Sequence, residues 1–189
     1  PLWNTYNFFV TYANLDGFDP TTAPSSPTMS DLDRWILSEL QTLVQGVTEG
    51  LESYDPDGAG RRLEDFVDIL STWYVRRSRR RFWKSENDAD KASAYRTLHT
   101  CLVTLCELLA PFIPFVAEAM YQNLVRSVDD DAPESVHLTS YPETDTALID
   151  PALSEATRLV MRVVSLGRAA RSKAGVKVRQ PLSTLLVRP

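Results

Sequence analysis

Apolar side chains recur along most of this chain at spacings of three and four, the period of a helix with one buried face. Gly and Pro fall mainly between these periodic stretches. The pattern predicts five long helices and one short one. The first spans about Leu2 to Ala13 and stops at Asn14-Leu15-Asp16-Gly17; with Trp3, Tyr6, Phe8, Phe9 and Tyr12 around it, it is expected to be buried on nearly every side. Residues 18–29 form a Pro/Ser/Thr loop without a period. Ser30 offers an N-cap, with Asp31 and Asp33 in the first turn, to a second helix whose apolar stripe runs from Leu32 through Trp35, Ile36 and Leu40 to Leu51. Asp55-Pro56 opens a third, to about Ser85, and the fourth runs from about Asp90 to Ala110, where Pro111 and Pro114 break it. Phe115 to Arg126 is the short element.

An acidic loop at 127–135 leads into an extended stretch, S-V-H-L-T-S-Y-P, and Asp150-Pro151 opens the last long helix, to about Ser172. Beyond Gly175 the text V-K-V-R-Q-P-L-S-T-L-L-V alternates like a strand. The expected fold is therefore all-α, a helical bundle of four to five long helices with a short β-like C-terminal fringe. The division that follows is 1–174 for the helical domain and 175–189 for the start of another.

Charge changes the picture more by position than by sum. The net charge is −5, yet from Ser127 to Thr157 there are eight acids and no Lys or Arg. Beyond Glu155 there are eight basic residues and no acid, and Arg76 to Lys84 holds six more in nine positions. Such blocks hold phosphates whatever the overall pI, because screening confines charge interactions to roughly 8 Å at physiological salt. At 100° per residue the apolar face of the third helix (Leu63, Phe66, Val67, Leu70, Trp73, Tyr74) continues into Arg77 and Arg81. These two are expected to face other protein as structural or interdomain arginines. Arg76, Arg80 and Lys84 flank that face and are candidates for RNA contact. The second block supplies Arg168, Arg171, Lys173, Lys177 and Arg179, more cations than a helix C-terminus needs for its dipole. Trp83, with Phe82 and Trp35, is a candidate for stacking on unpaired bases.

Several classes of function fall away. No run approaches the roughly 18 to 20 apolar residues of a membrane span, and His99 and His137 lack the partners of a metal site. Cys101 and Cys106, five apart on a helical pattern, read as reduced core residues. No phosphate-binding glycine loop or nucleophile elbow occurs, so no catalytic residue is assigned.

Five segments, in order, carry a family resemblance: P-L-W-N-T-Y-N-F-F-V-T-Y-A at the start, D-L-D-R-W-I-L-S-E-L (31–40), S-T-W-Y-V-R-R-S-R-R-R-F-W (71–83), L-L-A-P-F-I-P-F-V-A-E-A-M-Y (108–121) and S-V-H-L-T-S-Y-P (135–142). Together they resemble the anticodon-binding domain of the class I aminoacyl-tRNA synthetases for Ile, Val and Leu. W-Y-V-R-R-S-R-R-R-F-W and G-V-K-V-R-Q-P-L are most similar to the isoleucine enzymes, especially the type shared by eukaryotes, archaea and some bacteria, with the valine enzymes as the rival. The resemblance implies a cytoplasmic parent that ligates isoleucine to tRNA-Ile with ATP and Mg, with Zn as a further parent cofactor, and that proofreads. The H-I-G-H and K-M-S-K-S motifs of adenylate formation are absent here, so the resemblance puts no cofactor in this stretch. It implies tRNA-Ile and the parent's own catalytic domain as partners, without DNA or membrane. Two readings from other classes stay open: a purely architectural helical docking module, and a general RNA-binding helical domain.

Overall fold

The computed structural model describes residues 1–22, 29–84 and 89–187, and within them the chain forms two compact units, Pro1–Ile149 and Asp150–Pro189. In the first unit α1 (Leu2–Asp16) is closed by Gly17, whose φ of 64° lets its N–H return to the carbonyl of Ala13. Helix α2 (Asp31–Glu52) starts with a full capping box: the Ser30 hydroxyl accepts from the Asp33 N–H, and the Asp33 carboxylate accepts from the Ser30 N–H. Asp55 caps α3 (Pro56–Ile69), with Pro56 at its first position. A π-helical stretch, Leu70–Val75, and α4 (Arg76–Trp83) continue the same rod. Helix α5 (Ala89–Leu109), α6 (Pro114–Tyr121) and a π-turn at Gln122–Arg126 complete the bundle. The second unit holds α7 (Pro151–Lys173) and the residues after it.

The core lies between α2, α3 and α5, around Trp35, Ile36, Leu40, Leu70, Leu98, Leu102 and Leu105, with Cys101 and Cys106 as buried free thiols. Burial pushes the Cys106 thiol up to about 12, so it stays protonated and inert at neutral pH. Between α2 and α3 the backbones approach closely: a Cβ on Gly50 would meet the Ala59 methyl at 3.2 Å. At the end where α1 and α3 begin, Trp3, Leu63, Val67, Leu109, Phe112 and Ile113 line an apolar groove of about 790 Å³.

The turn after α2 carries one strained residue. Tyr54 stands at φ 60° and is 93% exposed, in a closure where the Asp55 N–H reaches the Gly50 carbonyl and the Tyr54 N–H reaches that of Leu51. Glycine takes this left-handed position without a Cβ penalty of roughly 1 to 2 kcal/mol, set against about 0.5 to 1 kcal/mol of extra chain entropy. Tyr54→Gly is therefore expected to stabilise the protein by about 0.5 to 1 kcal/mol in urea melts; destabilisation would mean that the ring, not the backbone, matters there.

Four sequence expectations need correction. The first helix is buried on one face only, at Thr5, Tyr6, Phe9 and Ala13, while Trp3 is 51% exposed. The segment expected to be extended contains a 3-10 turn, Val136–Leu138, opened by the Ser135 hydroxyl accepting from the His137 N–H. Residues 176–187 make no strand among the described residues, because alternation alone does not form a ladder without a neighbouring strand to share its hydrogen bonds. The fourth concerns the face of α4, taken up below. Part of the 18–29 loop, the expected end of the third helix near Ser85, and Arg188 lie outside the described residues.

Candidate nucleic-acid interface

Asp33 determines where α4 sits. Its carboxylate is wholly buried and receives Arg81 at both oxygens, Nη1 to Oδ1 and Nη2 to Oδ2, each at 2.7 Å. The Tyr74 hydroxyl donates to Oδ1 at 2.7 Å, and those of Ser93 and Ser30 donate to Oδ2 at 3.2 and 2.8 Å. Burial is the largest influence on this carboxyl and pushes it up, but the bonds from Arg81 and Tyr74 together outweigh it and hold it below the usual carboxylate range. The buried capping carboxylate of α2 thus ties the π-helical stretch, α4 and α5 together.

The clamp extends into α5. Arg81 donates to the Asp90 carbonyl at 3.0 Å, and its Nε lies 2.8 Å from Oδ1 of the same residue. Asp90 also takes Lys84 at 3.0 Å. Lys91, almost fully buried, gives its ammonium to the Lys84 carbonyl at 2.8 Å and to Asp16 at 2.7 Å, and the Tyr95 hydroxyl also donates to Asp16. Every formal charge in this interior network faces an opposite charge or a carbonyl, which is the condition for tolerating it.

The π-helical stretch alters which residues α4 presents. Continuing the apolar face of α3 at 100° per residue leads to Arg77 and Arg81. The wider π turns advance the buried face by about one residue, so Ser78 and Phe82 are buried and Arg81 is largely sheltered. Arg77 is exposed, with its guanidinium 4.0 Å over the Trp73 ring. The expected common face of Arg77 and Arg81 is thus split, because a straight α-helical period was carried across a π segment.

The opposite side of α4 is a basic strip. At 100° per residue Arg79, Trp83, Arg76 and Arg80 fall within an arc of about 100°, and all four are exposed. The Trp83 ring is 54% exposed. Among the described residues no salt bridge reaches Arg76 or Arg80, while Arg79 lies 5.9 Å over the Phe8 ring. Lys84 is drawn back towards Asp90. The sequence reading left Arg79 out of the strip and gave no role to Asp90 or Lys91.

In the second unit Arg168, Lys173, Lys177 and Arg179 are exposed at the end of α7 and in the turn after it. Arg171 differs from them: its Nη1 donates to the carbonyls of Lys177 and Gln180 at 2.8 and 2.9 Å, and its Nη2 donates to Gln180 at 2.9 Å. Among the described residues no group of His, Cys, Asp or Glu could hold a metal ion; His99 Nε2 meets the Leu124 carbonyl at 3.0 Å, and because a carbonyl only accepts, that nitrogen carries the hydrogen. No helix among the described residues is long and apolar enough to cross a membrane.

A buried charge clamp thus fixes a short helix that turns an arginine and tryptophan strip outward, and comparison with known proteins gives the family. Residues 33–186 match the anticodon-binding domain of tRNA ligase, and the chain belongs to that family. It is 66% identical, over 98% of its length, to an isoleucine–tRNA ligase of Dehalococcoides mccartyi, and 56% identical, again over 98%, to that of Thermus thermophilus; in each case the chain spans 18% of the relative's length. These relatives are bacterial and give no support to the eukaryotic and archaeal side of the resemblance. Among solved structures, the LeuRS–tRNA–LeuAMS ternary complex of Agrobacterium radiobacter K84 matches at a TM-score of 0.54 and 17% identity, over 79% of this chain and 16% of the other. At that identity the likeness concerns the fold alone.

Proposed function

We propose that this chain is the tRNA-holding part of an isoleucine–tRNA ligase, grasping the anticodon stem-loop of tRNA-Ile while a catalytic domain elsewhere in the longer protein joins isoleucine to the tRNA. The observation that carries the reading is the outward strip of α4, where exposed Arg76, Arg79 and Arg80 surround exposed Trp83 on a helix held by the buried Asp33–Arg81 pair. Guanidinium groups suit phosphate oxygens, and an exposed indole between them suits a splayed base. Lys173, Lys177 and Arg179, with Arg168, are the second group assigned to RNA.

ATP and Mg, and Zn where the parent uses it, belong to chemistry outside these residues, in a cytoplasmic enzyme. The apolar groove between the starts of α1 and α3 packs against the catalytic domain of the same chain. Its lining is mostly apolar and includes Pro1, Leu2 and Trp3, and the curated relatives are more than five times longer than this chain. Residues 175–189 are read as the opening of a further C-terminal domain.

The longer protein is expected to charge tRNA-Ile with isoleucine in the presence of ATP. Preferential charging of tRNA-Val with valine would replace this reading by the valine one, and absence of tRNA binding would leave only a docking module.

A further inference from the structure

We infer that Arg171 is not itself an RNA ligand but the residue that shapes one: its guanidinium folds the chain after α7 back on the helix, so that Lys173, Lys177 and Arg179 form a phosphate-binding turn. This rests on the tRNA-binding reading above and divides the second basic block into one positioning residue and three contacts.

The closure of α7 converges on this one residue. Gly175, at φ 66°, takes the left-handed position; its N–H reaches the Ser172 carbonyl at 3.1 Å, and the Val176 N–H reaches the Arg171 carbonyl at 2.9 Å. The Arg171 backbone therefore receives the first residue beyond the turn. Its side chain then takes the next segment, donating three hydrogen bonds to the carbonyls of Lys177 and Gln180. The Gln180 N–H closes back on the Lys177 carbonyl at 3.0 Å, so residues 177–180 make a turn gripped at both ends by one guanidinium.

Arginine fits this site by geometry. Its planar fork sets two terminal nitrogens in fixed directions, Nη1 on both carbonyls and Nη2 on that of Gln180, whereas a lysine gathers its three donors on one shorter-reaching atom and cannot reproduce this three-bond grip. Both terminal nitrogens of Arg171 are already engaged, and the residue is half-buried where Lys173, Lys177 and Arg179 are exposed. Three cations on an untethered tail lose backbone and side-chain freedom when they bind a phosphate; a turn shaped beforehand has lost most of it already. The ligand this arrangement suits is the phosphate backbone of a folded RNA, because the cations are exposed, closely spaced in sequence, and accompanied by no acid beyond Glu155.

The test is made in the full-length enzyme, measuring tRNA-Ile affinity across a range of salt. Neutralising Lys173, Lys177 and Arg179 together is expected to flatten the slope of log K against log salt by about 2 to 3, at 0.7 to 0.9 per phosphate contact. R171A is expected to match that loss, and R171K to match it too although the charge is kept. R171A added to the triple variant is expected to cost nothing more. Amide exchange at Val176 and Gln180 is expected to quicken in R171K, a readout that loss of charge alone does not move. Wild-type affinity in R171K, a further slope loss of about 0.7 to 0.9 when R171A is added to the triple variant, or a silent triple variant each overturns the proposal. If the intact enzyme binds no tRNA at all, the underlying reading fails instead, and the exchange rates in R171K still decide whether the clasp exists.

Discussion

Asp33→Ala is expected to destabilise the protein by about 3 to 5 kcal/mol, the loss seen when a buried ion pair is broken and one charge is stranded. Exposed pairs such as Arg61–Asp57, with both side chains about three-quarters exposed, should contribute about 1 kcal/mol or less. The difference lies in what is left behind. Removing the Asp33 carboxylate leaves Arg81 with only the half-exposed Asp90 as a partner, and takes the main acceptor from Tyr74 and the reciprocal half of the α2 capping box. In thermal melts the change corresponds to a fall in Tm of about 6 to 20 °C for a domain of this size. Asp33→Ala with Arg81→Met should recover part of the loss, since no charge is then stranded.

The pH dependence has a definite sign. The Asp33 carboxyl is held low in the folded state, so its contribution is present above the ordinary carboxylate pKa of about 4 and is lost as pH falls through the lower folded value. The gap between wild type and Asp33→Asn should therefore be constant near neutrality and shrink below about pH 4. A gap under about 1 kcal/mol at pH 7 would show that the clamp does not hold the bundle together.

The second large effect is on RNA. In the full-length protein, replacing Arg76, Arg80 and Trp83 by Ala is expected to weaken tRNA-Ile binding by about 100-fold or more. Loss of one stacked base accounts for about 1 to 3 kcal/mol, and two phosphate contacts flatten the salt slope by about 1.4 to 1.8. All three side chains are exposed, so Tm should stay within a few degrees of wild type. Unchanged affinity would contradict an RNA contact at the α4 strip and move that role to α7 and its turn.

The long apolar periods placed the helices to within a few residues, and the Ser30–Asp33 cap was legible because both partners lie in one turn. The rest of what Asp33 does was not. Arg81 is 48 residues away and Ser93 is 60, and no local pattern states that a capping carboxylate is also the partner of a distant guanidinium. The basic block was visible as composition, but which of its members face out depended on the π-helical stretch, which advances the buried face by about one residue and leaves no simple mark in the sequence. Arg171 was read with Lys173 and Lys177 for a similar reason. Charge says that a residue is basic, and only the returning backbone of Lys177 and Gln180 shows that its donors are already engaged. Alternation after Gly175 suggested a strand, yet strands are made by partners as much as by pattern.

The most direct test of the central claim is a binding titration of the full-length protein against two transcripts, tRNA-Ile and the same tRNA with only its anticodon bases changed, at one fixed salt concentration. A domain that holds and reads the anticodon predicts at least about tenfold weaker binding of the altered transcript, the equivalent of about 1.4 kcal/mol of lost base contact. Equal affinity for both, with the salt dependence unchanged, would contradict it and leave a helical module that holds phosphates without reading bases.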